Sequence, residues 1–299
     1  MPSRSTARLQ LAFAAVLFST GGAAIKAADF TAWQITCLRS GTAALAIWLM
    51  TREARRGWTG RTLVVGIAYA ATLTLFVLAN RLTTAANTIF LQSTAPLYLV
   101  LLGPLVLREP IRRWDLPFLA VVGLGLAAFF VGSETPVATA PDPVRGNVLG
   151  VLSGVSWALT VTGLRWLGRD AERSGGTLAA VAMGNAIAFA ACLPMALPLV
   201  GVSGRDWLVI LYLGVVQIGL AYVLVSRAFR SVGALEASLL LLLEPALNPV
   251  WAWLVHGERP SPWGVVGGAM ILGATVLRTW LGGRIGSPPR HAADPVGTA

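Results

Sequence analysis

Residues 228–258, AFRSVGALEASLLLLLEPALNPVWAWLVHGE, decide how this chain is read. Five consecutive leucines run into a glutamate, an asparagine and two prolines within one helix length. In a soluble core helix, Pro245 and Pro249 would each remove a backbone hydrogen bond and press on the preceding turn. In a bundle helix beside a watery cavity, water and neighbouring helices satisfy the freed carbonyls. Glu244 and Asn248 are four residues apart and share one face. The stretch therefore reads as a membrane helix that turns one polar face to a cavity.

The rest of the chain supports that reading. Of 299 residues, 56% are hydrophobic and only 12% charged, with a mean hydropathy of +0.70. A soluble chain carries about a quarter charged residues. The apolar residues fall into spans of about 20, each long enough to cross a bilayer core of about 30 Å. Ten spans are predicted near 9–27, 32–51, 62–80, 87–107, 114–132, 147–167, 177–200, 207–226, 237–256 and 262–282. The first follows Arg4 and Arg8 and leads into STGGAA, much like a signal peptide. A second span begins within a few residues of it, so it is expected to be a retained first helix. The longest connection, SETPVATAPDPVR, divides the chain into two sets of five. Expected units are 1–135, an external linker at 136–146, 147–285, and a disordered tail at 286–299.

The net charge of +10 comes from 22 arginines and Lys26 against 13 acidic residues. Nucleic-acid binding would gather these positives on one face or run, whereas here they are dispersed among loops. Cytoplasmic loops are enriched in Arg and Lys. Alternate loops hold 17 and 5 of them, with Arg39 inside the second span. Both termini are thus expected on the cytoplasmic side. Cys37 and Cys192 each lie within an apolar span, a pattern of packing thiols rather than of a disulfide framework or metal site.

A shift of 149 residues lays ANRLTTAANTIFLQSTAP (79–96) on AFRSVGALEASLLLLLEP (228–245). Arg81 meets Arg230, Pro96 meets Pro245, Glu109 meets Glu258 and Trp114 meets Trp263. Five spans per half is an odd number, so the second half should sit inverted in the membrane. Inverted repeats provide two exchangeable arrangements around a site near the midplane, the geometry of a carrier.

These halves, with LREPIRRWDLPFLAVVGLGLAA, its counterpart HGERPSPWGVVGGAMILGA, and CLRSGTAALAIWL in the second span, resemble the EamA-type repeats of the drug/metabolite transporter superfamily. Within it the chain looks most like the aromatic amino-acid exporter branch. The resemblance implies ten transmembrane helices, cytoplasmic termini, a bacterial inner membrane, and export of amino acids or related small metabolites by alternating access.

Polar and aromatic residues inside the spans are the candidate substrate-binding set: Ser19, Gln92, Ser93, Tyr98, Ser156, Trp157, Gln217, Tyr222, Glu244, Asn248 and Trp251. An ionisable group at the bilayer centre costs about 2.5–3.5 kcal/mol on insertion scales and faces a cavity or a partner. For Glu244 the two readings are a binding or coupling role and a fixed ion pair with Arg39 or Lys26. For Gln92 they are a substrate contact and an interhelical bond. Glu109 and Glu258, each near a proline at a helix end, are expected to be structural. Gly146, Gly150 and Gly154, with Gly264 and Gly268, form small-residue strips for close helix packing.

Other classes lack support. GLGLAA at 123–128 fits a dinucleotide fingerprint, but that motif must follow a strand and open a helix, and here it lies within an apolar span. Neither paired carboxylates nor a metal-ligand spacing appears, so no catalysis and no cofactor are expected. Expected partners are a small-molecule substrate and the lipid bilayer, with no nucleic acid, for a monomer or weak homodimer. Rival readings are an exporter of drug-like cations and a non-transporting membrane scaffold.

Overall fold

The computed structural model describes residues 3–107, 113, 115–131, 136–167, 176–199, 203–229 and 231–285. The expected tail, Glu109 and Trp114 lie outside these residues. Among the described residues, a helical rod coincides with each of the ten expected spans. They are α1 (Arg4–Ala27), α2 (Ala32–Met50), α3 (Gly60–Leu82), α4 (Ala85–Val106) and α5 (Asp115–Val131), then α6 (Pro143–Leu167), α7 (Gly176–Ala196), α8 (Gly204–Ala228), α9 (Glu236–His256) and α10 (Pro262–Ile285).

Eight of these rods, all but α2 and α5, are long and apolar enough to cross a membrane. Helix α5 is apolar but only 17 residues long within its described bounds. Helix α2 has 19 residues, and Gln34, Thr36, Arg39, Ser40 and Thr42 dilute its hydropathy. Large apolar side chains are exposed on many rods, including Leu9 (71%), Leu105 (80%), Leu124 (64%) and Leu208 (68%). Exposed apolar surface on this scale marks contact with lipid rather than water. The chain is an all-helical, multi-pass membrane protein.

Helix starts follow local chemistry. Thr31 caps α2 in a reciprocal box with Gln34, Ser203 caps α8 in one with Asp206, and the Thr84 hydroxyl accepts from Asn87 N (3.1 Å) at the start of α4. Helix α6 begins at Pro143, inside the expected linker. Asp142 Oδ1 accepts from Arg145 N (3.2 Å), and proline suits the first helical position because its missing N–H is not needed there.

Three rods are interrupted. Helix α4 breaks between Gln92 and Ala95, and α9 breaks at Leu242. Under the 149-residue shift Ser93 falls on Leu242, so both breaks occupy the same repeat position, just before the shared Pro96 and Pro245. Each proline withholds the N–H that would bond four residues back. Tighter three-residue bonds take over, Thr94 N to Leu91 O (3.2 Å) and Leu242 N to Leu239 O (3.3 Å). Helix α1 breaks at Thr20 without a proline. There the Ser19 and Thr20 hydroxyls donate to Val16 O and Leu17 O (both 2.7 Å), and two glycines follow.

Packing exchanges partners between the halves. Helix α1 packs against α8 and α9, the third and fourth rods of the second half, while α6 packs against α3 and α4 of the first. The α2–α7 and α5–α10 pairs map onto themselves under the same exchange. The first glycine strip sits at the α6 contact with α4, and the second packs α10 on α4 as well. A Cβ on Gly154 would lie 2.8 Å from Leu91 O of α4, and one on Gly264 would lie 2.8 Å from Asn87 Oδ1.

Candidate functional site

Aromatic rings from four rods converge halfway along the bundle. Tyr222 of α8 meets Tyr69 of α3 edge-on with centroids 5.7 Å apart, and Phe18 of α1 edge-on at 5.2 Å. Trp157 of α6 lies 6.4 Å from Tyr69. Trp157 and Tyr222 are only half-buried although both sit mid-helix, as are Phe18, Ser156 and Glu244. We read this partial exposure as one wall of a crevice bordered by the rings.

Two hydrogen-bonded chains flank the rings. Gln92 Nε2 donates to Ser153 Oγ (2.8 Å), whose hydroxyl donates to Thr72 O (3.4 Å), tying α4, α6 and α3 together. Ser153 lies one turn before Trp157, so this chain stands directly beside the ring group. On the other flank Trp251 Nε1 donates to Ser19 Oγ (2.9 Å), and Gln217 Nε2 donates to Phe18 O (3.3 Å) while Gln217 Oε1 stays unpartnered. Asn248 is fully buried against Gly22 of α1, and neither its amide nitrogen nor its oxygen has a partner.

Glu244 makes no ion pair or hydrogen bond among the described residues. It sits in the first turn of the segment that restarts after the α9 break, where the helix dipole favours a carboxylate. It is within electrostatic reach of Tyr69 and Tyr222. The ion pair with Arg39 or Lys26, the second reading of Glu244, is not formed. Lys26 Nζ lies 2.7 Å from Glu258 Oε2 instead, with both side chains almost fully buried, and also donates to Thr83 O (2.8 Å) and Thr139 O. Glu258 Oε1 accepts from Ala85 N at the start of α4 (2.5 Å), a structural use of this glutamate. Thr83 and Asn87 share Asn147 Oδ1 at the same level. This cluster closes the end of the bundle opposite the N-terminus.

Of the candidates, Trp157 and Tyr222 belong to the ring group, with Ser156 next to Trp157. Gln92 joins it through Ser153, Gln217 through Phe18 O, and Glu244 lies within electrostatic reach of Tyr222. Ser19 and Trp251 bond each other beside Phe18, and Asn248 is sealed against α1. Among the described residues Ser93 and Tyr98 have no hydrogen bond to another candidate; Ser93 donates to Ile89 O of its own helix (2.7 Å). Tyr69, Phe18 and Ser153 join the group without having been singled out in the sequence. For Ser153 the signal was present, since it shares a helix face with Trp157. An apolar cleft of about 380 Å³ also lies between α1, α8 and α9, lined by residues such as Ala24, Leu208, Val255 and Trp251. Its walls suit a lipid chain, not a polar solute.

Known proteins place this architecture. Pseudopaline exporter CntI of Pseudomonas aeruginosa (strain UCBPP-PA14) is 28% identical over 271 residues, covering 88% of this chain and 92% of that protein. An uncharacterized transporter of Archaeoglobus fulgidus is 29% identical over 228 residues, 75% of this chain and 78% of that one. A protein of known crystal structure shares the fold, with a TM-score of 0.62 at 23% identity over 95% of this chain and all of its own. The EamA-like transporter family pattern matches twice, at residues 6–131 and 144–280, one match for each half. With two such units filling nearly the whole length, the chain belongs to the EamA-like transporter family of the drug/metabolite transporter superfamily, which comprises membrane transporters and not enzymes.

Proposed function

We propose that this chain exports amino acids, aromatic or otherwise apolar, or closely related small metabolites by alternating access. In this reading all ten rods cross a bacterial inner membrane as two inverted five-helix halves, with both termini in the cytoplasm. One observation carries it: the crevice is built from both halves at mid-depth, and it combines ring faces (Trp157, Tyr222) with polar groups that retain free bonding capacity (Gln217, Glu244, Asn248). Ring faces accept an apolar side chain, and the polar groups accept its charged end. The exchanged packing of α1 and α6 supports inversion, because a two-fold axis lying in the membrane would produce it. The metabolite exporter among the relatives supports the direction of transport.

Glu244 beside ring faces also favours a second reading, export of an organic cation, which ring faces attract as well. Counterflow in proteoliposomes tests both. Vesicles loaded with unlabelled phenylalanine should accumulate labelled phenylalanine transiently and saturably. Accumulation of tetraphenylphosphonium without amino-acid counterflow would transfer the assignment to cations. Linear, unsaturable flux would point to a channel, and no flux to a scaffold.

A further inference from the structure

Arg39 is the feature that the proposed site leaves unexplained. It is 2% exposed in the middle of α2, its Nη2 donates to Leu73 O of α3 (3.2 Å), and its Nε has no partner. Leu73 lies one turn from Tyr69 on α3, so the guanidinium reaches across to the level of the ring group. Tyr69 and Tyr222 each lie within electrostatic reach of both Arg39 and Glu244. Neither charge has an ion-pair partner among the described residues, whereas Lys26 and Glu258 neutralise each other. A buried charge without a counter-charge is costly, and it is retained where something supplies the opposite sign.

We propose that the crevice recognises dipolar substrates, with Arg39 binding a carboxylate and Glu244 an ammonium group of the same small molecule. Tyr69 and Tyr222 lie within reach of both poles, and Trp157, beside Tyr69, offers a face to the side chain. Arg39 suits the first role because its planar fork matches a carboxylate, and its unpartnered Nε is one tine of that fork. Both poles come from different halves of the chain, α2 from the first and α9 from the second. A dipolar molecule would therefore join the halves, whereas a molecule with one charge would leave the opposite pole bare. The inference rests on the amino-acid reading above and sharpens it to residues, and it disfavours simple organic cations, which Arg39 would repel.

The test uses full-length protein in proteoliposomes, labelled phenylalanine counterflow, and three competitors with the same ring: phenylalanine, phenethylamine, which lacks the carboxylate, and 3-phenylpropanoate, which lacks the ammonium. Phenylalanine should compete about tenfold or more better than either single-charge analogue, the size of one charge-assisted contact. In Arg39→Gln that advantage over phenethylamine should vanish, and in Glu244→Gln the advantage over 3-phenylpropanoate should vanish. Arg39→Lys keeps the charge and should keep part of the preference. If Arg39→Gln fails to fold, the Glu244→Gln and Arg39→Lys ratios decide. Saturable phenylalanine counterflow with no preference among the three compounds, or with ratios unchanged in the variants, overturns the dipolar site and leaves the carrier reading standing. No counterflow of labelled phenylalanine, leucine or threonine by the wild-type protein overturns both.

Discussion

Lys26 and Glu258 show what a buried charge requires of its neighbours. Each side chain is at most 5% exposed, and together they hold α1, the α3–α4 turn and the end of α9 in one knot. Lys26→Met would strand the Glu258 carboxylate, at a cost of about 3–5 kcal/mol. Lys26→Met combined with Glu258→Gln removes both charges, and the glutamine oxygen still accepts from Ala85 N. The double variant should therefore melt at a higher temperature than Lys26→Met alone, as thermal unfolding of the purified protein would report; the reverse order would show that the charges do not depend on each other. Sequence reading singled out Lys26, Arg39, Glu244 and Glu258, because charges within or beside apolar spans are conspicuous. It leaves the partner of Lys26 open, with Glu244 as one choice; Glu244 lies 14 residues before Glu258, about 20 Å at the helical rise. Lys26 can reach only one of them. Tyr69 escaped notice because GIAYAATLTL fixes no helix phase by charge or periodicity, so only the contact of α3 with α6 and α8 shows which way it faces.

Among the elements, the broken α4 and α9 were the most legible. The sequence takes both as unbroken spans, but its 149-residue shift already pairs Pro96 with Pro245, and both breaks fall just before these prolines, since a proline acts on its own helix whatever packs around it. The wide-turn π stretch at Tyr212–Leu220 was not legible. No residue type encodes such a stretch, and it coincides with close packing on α2, where a Cβ on Gly214 would lie 2.7 Å from Arg39 O. Glycines in these rods divide into two kinds that look identical in sequence. Gly154 is pressed against the α4 backbone, 2.8 Å from Leu91 O for an added Cβ, whereas Gly273 in α10 has nothing within 4 Å. Gly154→Ala should therefore destabilise the protein by about 1–3 kcal/mol through overpacking. Gly273→Ala should stabilise it by about 0.5–1 kcal/mol, since alanine restricts the unfolded chain and favours helix. Melting temperatures of the two variants should move in opposite directions, and equal shifts would mean that the α4–α6 contact is looser than described.

At the scale of the whole molecule, the two ends of the bundle are closed by different means. The end opposite the N-terminus holds the buried Lys26–Glu258 pair with Thr83, Asn87 and Asn147 packed around it. At the N-terminal end Arg4 and Arg8 pair with Glu236 in solvent, and the partly exposed Arg278 pairs with the buried Asp115. Exposed pairs contribute about 0–1 kcal/mol each and separate easily, while a buried pair must be desolvated and satisfied as a unit. The crevice should thus be reached from the N-terminal end in this arrangement, and opening the other end requires parting Lys26 from Glu258. In a background of Cys37→Ala and Cys192→Ala, a membrane-impermeant thiol reagent can read this directly. Ser3→Cys should label from the cytoplasmic face and Ser203→Cys from the opposite face, as the proposed orientation demands. Ser156→Cys, halfway along α6, should label from the cytoplasmic face alone. Adding Lys26→Met with Glu258→Gln should make Ser156→Cys reactive from the opposite face as well, because nothing charged then bolts α1 to the end of α9. Equal labelling of Ser156→Cys from both faces before the bolt is removed would mean that the pair does not seal that end, and Ser3→Cys labelling from the outer face would invert the proposed orientation.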